Sequence, residues 1–132
     1  AYQKRRCLIP VAGFYEWRGK GGIKQPFYFH LNNDQPVMFA GLWEKWGRDQ
    51  ESIYSFSIIT TEPNNQMREY HNRMPVILKE ENWSGWLHEG GKELLVPANI
   101  ELNICRMNPA MNNPRVKSLA EIEEPLAQGS LF

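Results

Sequence analysis

The sequence predicts an α+β domain in which a mostly antiparallel β-sheet curls into a barrel-like core and carries a few short helices. Three observations lead there. Four apolar and aromatic runs, at residues 6–17, 26–31, 37–46 and 53–61, follow one another at short spacing between polar or glycine-rich turns, the pattern of sequential antiparallel strands. Helical periodicity is confined to short stretches, chiefly 79–89, where Trp83, Trp86 and Leu87 recur three and four apart. A chain of 132 residues that is 42% hydrophobic and 12% aromatic suits a single domain over residues 1–132, burying roughly two thirds of its unfolded surface.

The first run, Arg6 to Trp17, reads as one strand bent at Pro10 and Gly13. Alternation sets Phe14 and Glu16 on one face and Tyr15 and Trp17 on the other. Arg18 to Lys24 is a glycine-rich basic turn; Lys20 and Lys24 could grip a phosphate, but no helix follows, so a hairpin tip is the simpler reading. The strand Pro26 to Leu31 comes next, with His30 structural, then the turn Asn32-Asn33-Asp34 and the strand Val37 to Trp46, whose Gly41 marks a bulge or a close backbone approach. In the last run, Ile53 to Thr61, the face bearing Tyr54, Phe56 and Ile58 is the expected core face.

Thr61 is a candidate N-cap and Pro63 fits a first turn, which predicts a short helix carrying Met67, Tyr70 and His71. Pro75 ends it and admits a second strand, Val76 to Leu78. The tail holds a short strand around Leu102 to Met107, the loop MNPAMNNPR, and an acidic stretch at Glu121 to Pro125 expected as a solvated end. No internal repeat or second domain is visible.

Fifteen basic and fifteen acidic residues balance, so the whole-molecule field does not steer the chain to polyanions or anionic membranes, and any nucleic-acid site must be local. The apolar runs are too short to span a bilayer and no signal peptide is evident; a soluble, cytoplasmic protein is expected. Two cysteines, Cys7 and Cys105, make no disulfide framework and no metal-ligand spacing, so neither metal nor cofactor is expected. The chain opens without an initiator Met, directly before a strand, which reads as an N-terminally incomplete domain. Taken singly, Glu16 is a solvated carboxylate on an edge strand and His71 a cap at a helix C-terminus.

Together these residues resemble a known family. Arg6-Cys7-Leu8-Ile9-Pro10 with Gly13-Phe14-Tyr15-Glu16-Trp17, then Phe39-Ala40-Gly41-Leu42-Trp43-Glu44, then Thr60-Thr61, Met67 and His71-Asn72-Arg73-Met74-Pro75-Val76-Ile77-Leu78 occur in that order. They resemble the SRAP (SOS-response-associated peptidase) family of abasic-site sensors that crosslink themselves to single-stranded DNA. The likeness runs from Arg6 to about Leu87, with a weaker echo at Asn112-Asn113-Pro114. It implies a β-rich cleft that receives a flipped abasic sugar, and a nucleophile that is an N-terminal cysteine exposed by removal of the initiator Met, the family's proposed autopeptidase step. The α-amine condenses with the sugar aldehyde and the thiol closes a thiazolidine; a lyase side reaction is also implied. Glu16 and His71 match the catalytic glutamate and histidine, and imine chemistry needs one group to accept a proton and another to supply one. The two should approach within about 8 Å. Arg73, Trp17, Tyr15, Thr60 and Thr61 are the candidate DNA contacts. A monomeric, nucleoid-associated, bacterial protein of the DNA damage response follows from the same likeness.

The sequence departs from the family in lacking its Met-Cys-Gly-Arg start and an upstream motif with asparagine, arginine and alanine. Absent with them are the nucleophile, a catalytic asparagine and several phosphate-binding arginines. Cys7 is no substitute: it is internal, without a free α-amine, and on an unbroken strand faces away from Glu16. Two other readings stay open, a cysteine hydrolase using Cys7, His71 and Glu16, and a non-catalytic single-strand-binding domain using Tyr15, Trp17, Trp43, Arg73 and Arg106.

Overall fold

The computed structural model describes residues 3–19, 22 and 24–115; Lys20 and the acidic stretch from Glu121 lie outside them. The strands are β1 (Arg6–Val11), β2 (Phe14–Arg18), β3 (Gln25–His30), β4 (Val37–Trp46), β5 (Ile53–Ile58), β6 (Thr60–Thr61), β7 (Met74–Pro75) and β8 (Asn103–Arg106). Among the described residues one α-helix, α1 (Trp83–His88), joins several single 3₁₀ turns. All pairings are antiparallel, in a sheet ordered β1-β4-β5, a second ordered β2-β3-β8, and a small ladder of β6 with β7. The α+β class agrees with the expectation. The barrel-like curl of that expectation is not a closed barrel: the described strands form two three-stranded sheets and a two-stranded ladder.

The expected long strand from Arg6 to Trp17 is two strands in different sheets. A Cβ on Gly13 would lie 2.4 Å from the Tyr28 ring and 2.5 Å from the Phe29 carbonyl oxygen, so only glycine lets the backbone cross there. Gly41 marks a close approach and not a bulge. Its register opposite Cys7 and Ile58 is unbroken, and a Cβ there would lie 2.5 Å from Ile9 Cδ1.

The sheets meet through aromatic side chains. Phe14 stacks on Phe29 at 5.2 Å and meets Phe39 edge-on at 5.5 Å, which joins β2 and β3 to β4. Met67, Tyr70, Met74 and Ile77 complete this core. On the other side of β4, Ala40 packs with Val76, Leu78 and Trp86, flanked by Leu8 and Leu42. Trp86 is fully buried and donates its indole N–H to the Cys7 carbonyl at 2.9 Å, which seats α1 on β1. Leu87, expected on the same apolar face, is exposed. No helix among the described residues is long and apolar enough to cross a membrane.

Two further expectations are corrected. Tyr54, Phe56 and Ile58 of β5 are 65%, 62% and 41% exposed, so their face is not core; β5 is an edge strand held by its pairing with β4. The expected helix after Thr61 is only a 3₁₀ turn, Met67–Glu69. Thr61 belongs to β6, and the Asn64 side chain takes the capping role by accepting from the Met67 N–H at 2.8 Å. Val76 to Leu78 runs as a strand-like segment beside β4, with Ala40 N–H to Val76 O at 2.9 Å and Leu78 N–H to Met38 O at 2.8 Å.

Candidate active site

Alternation along β2 places Phe14, Glu16 and Arg18 on the face turned to the core. Phe14 anchors one end of that face, and Glu16 lies opposite the buried Phe27, where the apolar packing stops. The Glu16 side chain keeps 21% of its surface. This half-burial raises the carboxyl above its ordinary pKa, and the His71 imidazole draws it part of the way back.

His71 is positioned by its neighbour. Tyr70 is drawn into the core, edge-on to Phe27 at 4.8 Å and to Phe29 at 5.3 Å, and the next side chain is turned out, 42% exposed. The backbone there is fixed by the His71 N–H donating to the Met67 carbonyl at 3.0 Å. His71 Nε2 then lies 3.8 Å from Glu16 Oε2. Residues 55 positions apart in the chain are thus in reach of one small group, well inside the expected 8 Å.

The other ring nitrogen has an unusual environment. The Arg73 N–H reaches Nδ1 at 3.1 Å, and the Arg73 carbonyl oxygen is 3.2 Å from the same atom. A neutral ring accepts from that N–H, which leaves its proton on Nε2, facing Glu16; a protonated ring donates from Nδ1 to the carbonyl. The backbone of one residue, Arg73, therefore offers Nδ1 both a donor and an acceptor.

Arg73 extends the site. Its Nη2 donates to the Thr60 carbonyl at 2.9 Å and to Thr60 Oγ1 at 3.0 Å, and Thr60 is itself paired with Pro75. Contacts thus link Glu16, His71, Arg73 and Thr60, with the half-buried Thr61 next in β6 opposite Met74. Arg18, which the sequence reading passed over, joins them: it shares the Glu16 face and lies over the Tyr70 ring at 5.8 Å. Its place two residues beyond Glu16 on an alternating strand was the available signal.

Tyr15 and Trp17 do not join this cluster. They leave β2 on the opposite face, with Tyr15 against Tyr28 at 4.9 Å and Trp17 at 6.3 Å. Trp43 and Cys7 sit elsewhere again, in the β1-β4-β5 sheet, lining an apolar cavity of about 530 Å³ with Tyr54 and Phe56. Tyr15, Trp17 and Trp43 therefore do not form one stacking surface. Burial raises the Cys7 thiol above its ordinary range, the reverse of what an activated nucleophile needs, and neither Glu16 nor His71 lines its cavity.

Comparison with known proteins bears on this arrangement. Residues 1–114 match the family profile described as SOS response associated peptidase (SRAP). The Bacillus subtilis abasic site processing protein YoqW is 36% identical over 128 residues, covering 90% of this chain and 57% of that protein. The Xenopus tropicalis abasic site processing protein HMCES is 29% identical over 109 residues, covering 67% of this chain and 32% of that one. A crystal structure of a Bacteroides thetaiotaomicron protein superposes with a TM-score of 0.73 at 29% identity, covering 84% of this chain and 55% of that one. The chain thus spans little more than half the length of YoqW.

Proposed function

The chain belongs to the SOS response associated peptidase family, and on that premise we propose that it acts on abasic sites in single-stranded DNA within a bacterial DNA damage response. The observation that carries the proposal is the 3.8 Å approach of His71 Nε2 to Glu16 Oε2 at an exposed corner whose cation, Arg73, is held by Thr60.

The chemistry runs through an N-terminal cysteine of the polypeptide that carries this domain. Its α-amine adds to the C1′ aldehyde of the ring-opened sugar; Glu16 accepts the proton that the nitrogen sheds, and His71 delivers one to the departing hydroxyl. Water leaves, an imine forms, and the thiol adds across the C=N bond to close a thiazolidine, with no oxidant or reductant consumed. Arg73 holds a phosphate beside the sugar by a charge-assisted hydrogen bond, with Thr60 and Thr61 lining its approach. The same imine permits strand cleavage by β-elimination when the thiol is slow to close it. Release of the initiator Met, which frees the amine, is the peptidase step of this scheme.

The test uses a polypeptide in which this domain follows an N-terminal cysteine, incubated with a single strand bearing one abasic site. A retarded band on a denaturing gel is expected. It should disappear when the N-terminal residue is serine and fade sharply in Glu16→Gln combined with His71→Ala. A band that persists in the serine variant and vanishes in Cys7→Ser would overturn the scheme in favour of an internal thiol. Binding without any covalent product would leave a single-strand-binding domain.

A further inference from the structure

Strand β8 lies at the side of its sheet away from β2, and its register brings together two side chains that the chemistry at Glu16 leaves unused. Phe27 and Phe29 turn into the core, so alternation along β3 turns Tyr28 and His30 outward. Cys105 lies directly opposite Tyr28, with His30 next on the same face. The Cys105 sulfur is 3.6 Å from His30 Nε2. The two residues stand 75 positions apart in the chain, and the β3–β8 pairing makes them neighbours.

The tautomer follows from the other ring nitrogen. His30 Nδ1 is 2.9 Å from the Leu31 carbonyl oxygen, which can only accept, so Nδ1 carries the proton of the neutral ring. Nε2 is then bare and accepts the S–H of Cys105. The Tyr28 ring stacks on the imidazole at 5.5 Å and 23°, which limits its rotation. A nucleophile, a base in reach of its proton and a third group that orients the base are the parts of an activated thiol.

Cys7 supplies the contrast. Burial raises both thiols above their ordinary range, so each is protonated at rest, and each becomes a strong nucleophile once its proton is removed. They differ in where that proton can go. No imidazole or carboxylate lines the open cavity beside Cys7, whereas Cys105 has His30 in hydrogen-bond contact.

We propose that Cys105 is a site of reversible thiolation by low-molecular-weight disulfides, with His30 as its base, a role separate from the abasic-site reading. Cys105 Sγ attacks one sulfur of the disulfide as its proton passes to His30 Nε2. The S–S bond of the reagent breaks, and the departing thiolate takes that proton. One mixed disulfide and one small thiol result, the protein thiol being oxidised and half of the reagent reduced. A small reagent is required because Cys105 is half-buried. The adduct stands on the face of Tyr15 and Tyr28, the reverse of the face from which Glu16 leaves β2.

The test is a time course with hydroxyethyl disulfide, a small neutral reagent, on the whole chain, with the modification of each cysteine read by peptide mass spectrometry. Cys105 should be modified faster than Cys7 in the folded protein, and the two should react alike in urea, where His30 is no longer in place. His30→Phe, which keeps a flat ring against Tyr28, should slow Cys105 about 10²-fold, the low end of what a positioned proton acceptor contributes, and leave Cys7 unchanged. His30→Gln, which keeps polarity but takes no proton, should slow it similarly. Dithiothreitol should restore the free thiol. Cys7 leading in the folded protein, a lead of Cys105 that persists in urea, full reactivity of Cys105 in both His30 variants, or an adduct that dithiothreitol does not remove would each overturn the proposal.

Discussion

One face of β4 tells two stories. By register, Val37, Phe39, Gly41 and Trp43 share a face with Ile9 and Cys7 of β1 and with Ile58 and Phe56 of β5. At the Val37 end, the β2-β3-β8 sheet covers it: Phe39 is 3% exposed under Phe14, and this cover carries Glu16. At the Trp43 end no described residue covers it, and Phe56 is 62% exposed. The same alternation thus yields a core at one end and an open apolar cavity at the other. Alternation states which side chains share a face; only tertiary packing states what lies on it.

The largest effect that tests this contrast is on stability. Phe29→Ala empties the centre of the covered end, where Phe14 and Tyr70 both pack on the ring, and should cost about 3–5 kcal/mol in denaturant unfolding. Phe56→Ala at the open end should stay within about 0.5 kcal/mol. Similar losses from the two would show that β5 is covered in solution.

How far the sequence could be read follows the same division. Strands β3 and β4 lie almost where expected because polar turns bound them, 32–34 after one and 47–52 after the other. The division of Arg6 to Trp17 was not legible, because apolar alternation continues past Gly13 and the close approach there is to Tyr28 and Phe29, residues of another strand. Thr61 and Asn64 are both competent caps, and the fold chose the latter because Thr61 pairs with Met74 in a ladder. Glu16 and His71 are unremarkable singly and stood out only through three ordered strings; Arg18 carried no such mark.

A smaller effect separates the two faces of β2. Arg73→Ala removes a cation on the cleft side, so binding to a single strand should weaken and its salt slope should flatten by about 0.7. Thr60→Ala should do less, since the Thr60 carbonyl still accepts from Arg73 at 2.9 Å. An unchanged slope in Arg73→Ala would assign that residue to holding β6 alone.

The central claim is that Glu16 moves a proton at the abasic sugar, and the pH dependence of adduct formation tests it most directly. Half-burial raises the Glu16 carboxyl, so it ionises at a higher pH than an ordinary glutamate, and only the ionised form accepts a proton. The rate for a polypeptide with an N-terminal cysteine should therefore climb through that raised value as pH increases and be lost below it. In Glu16→Gln this acid limb should vanish, leaving the titrations of the amine and thiol, and the plateau rate should fall about 10²- to 10⁴-fold. An acid limb and plateau unchanged in Glu16→Gln would contradict the account.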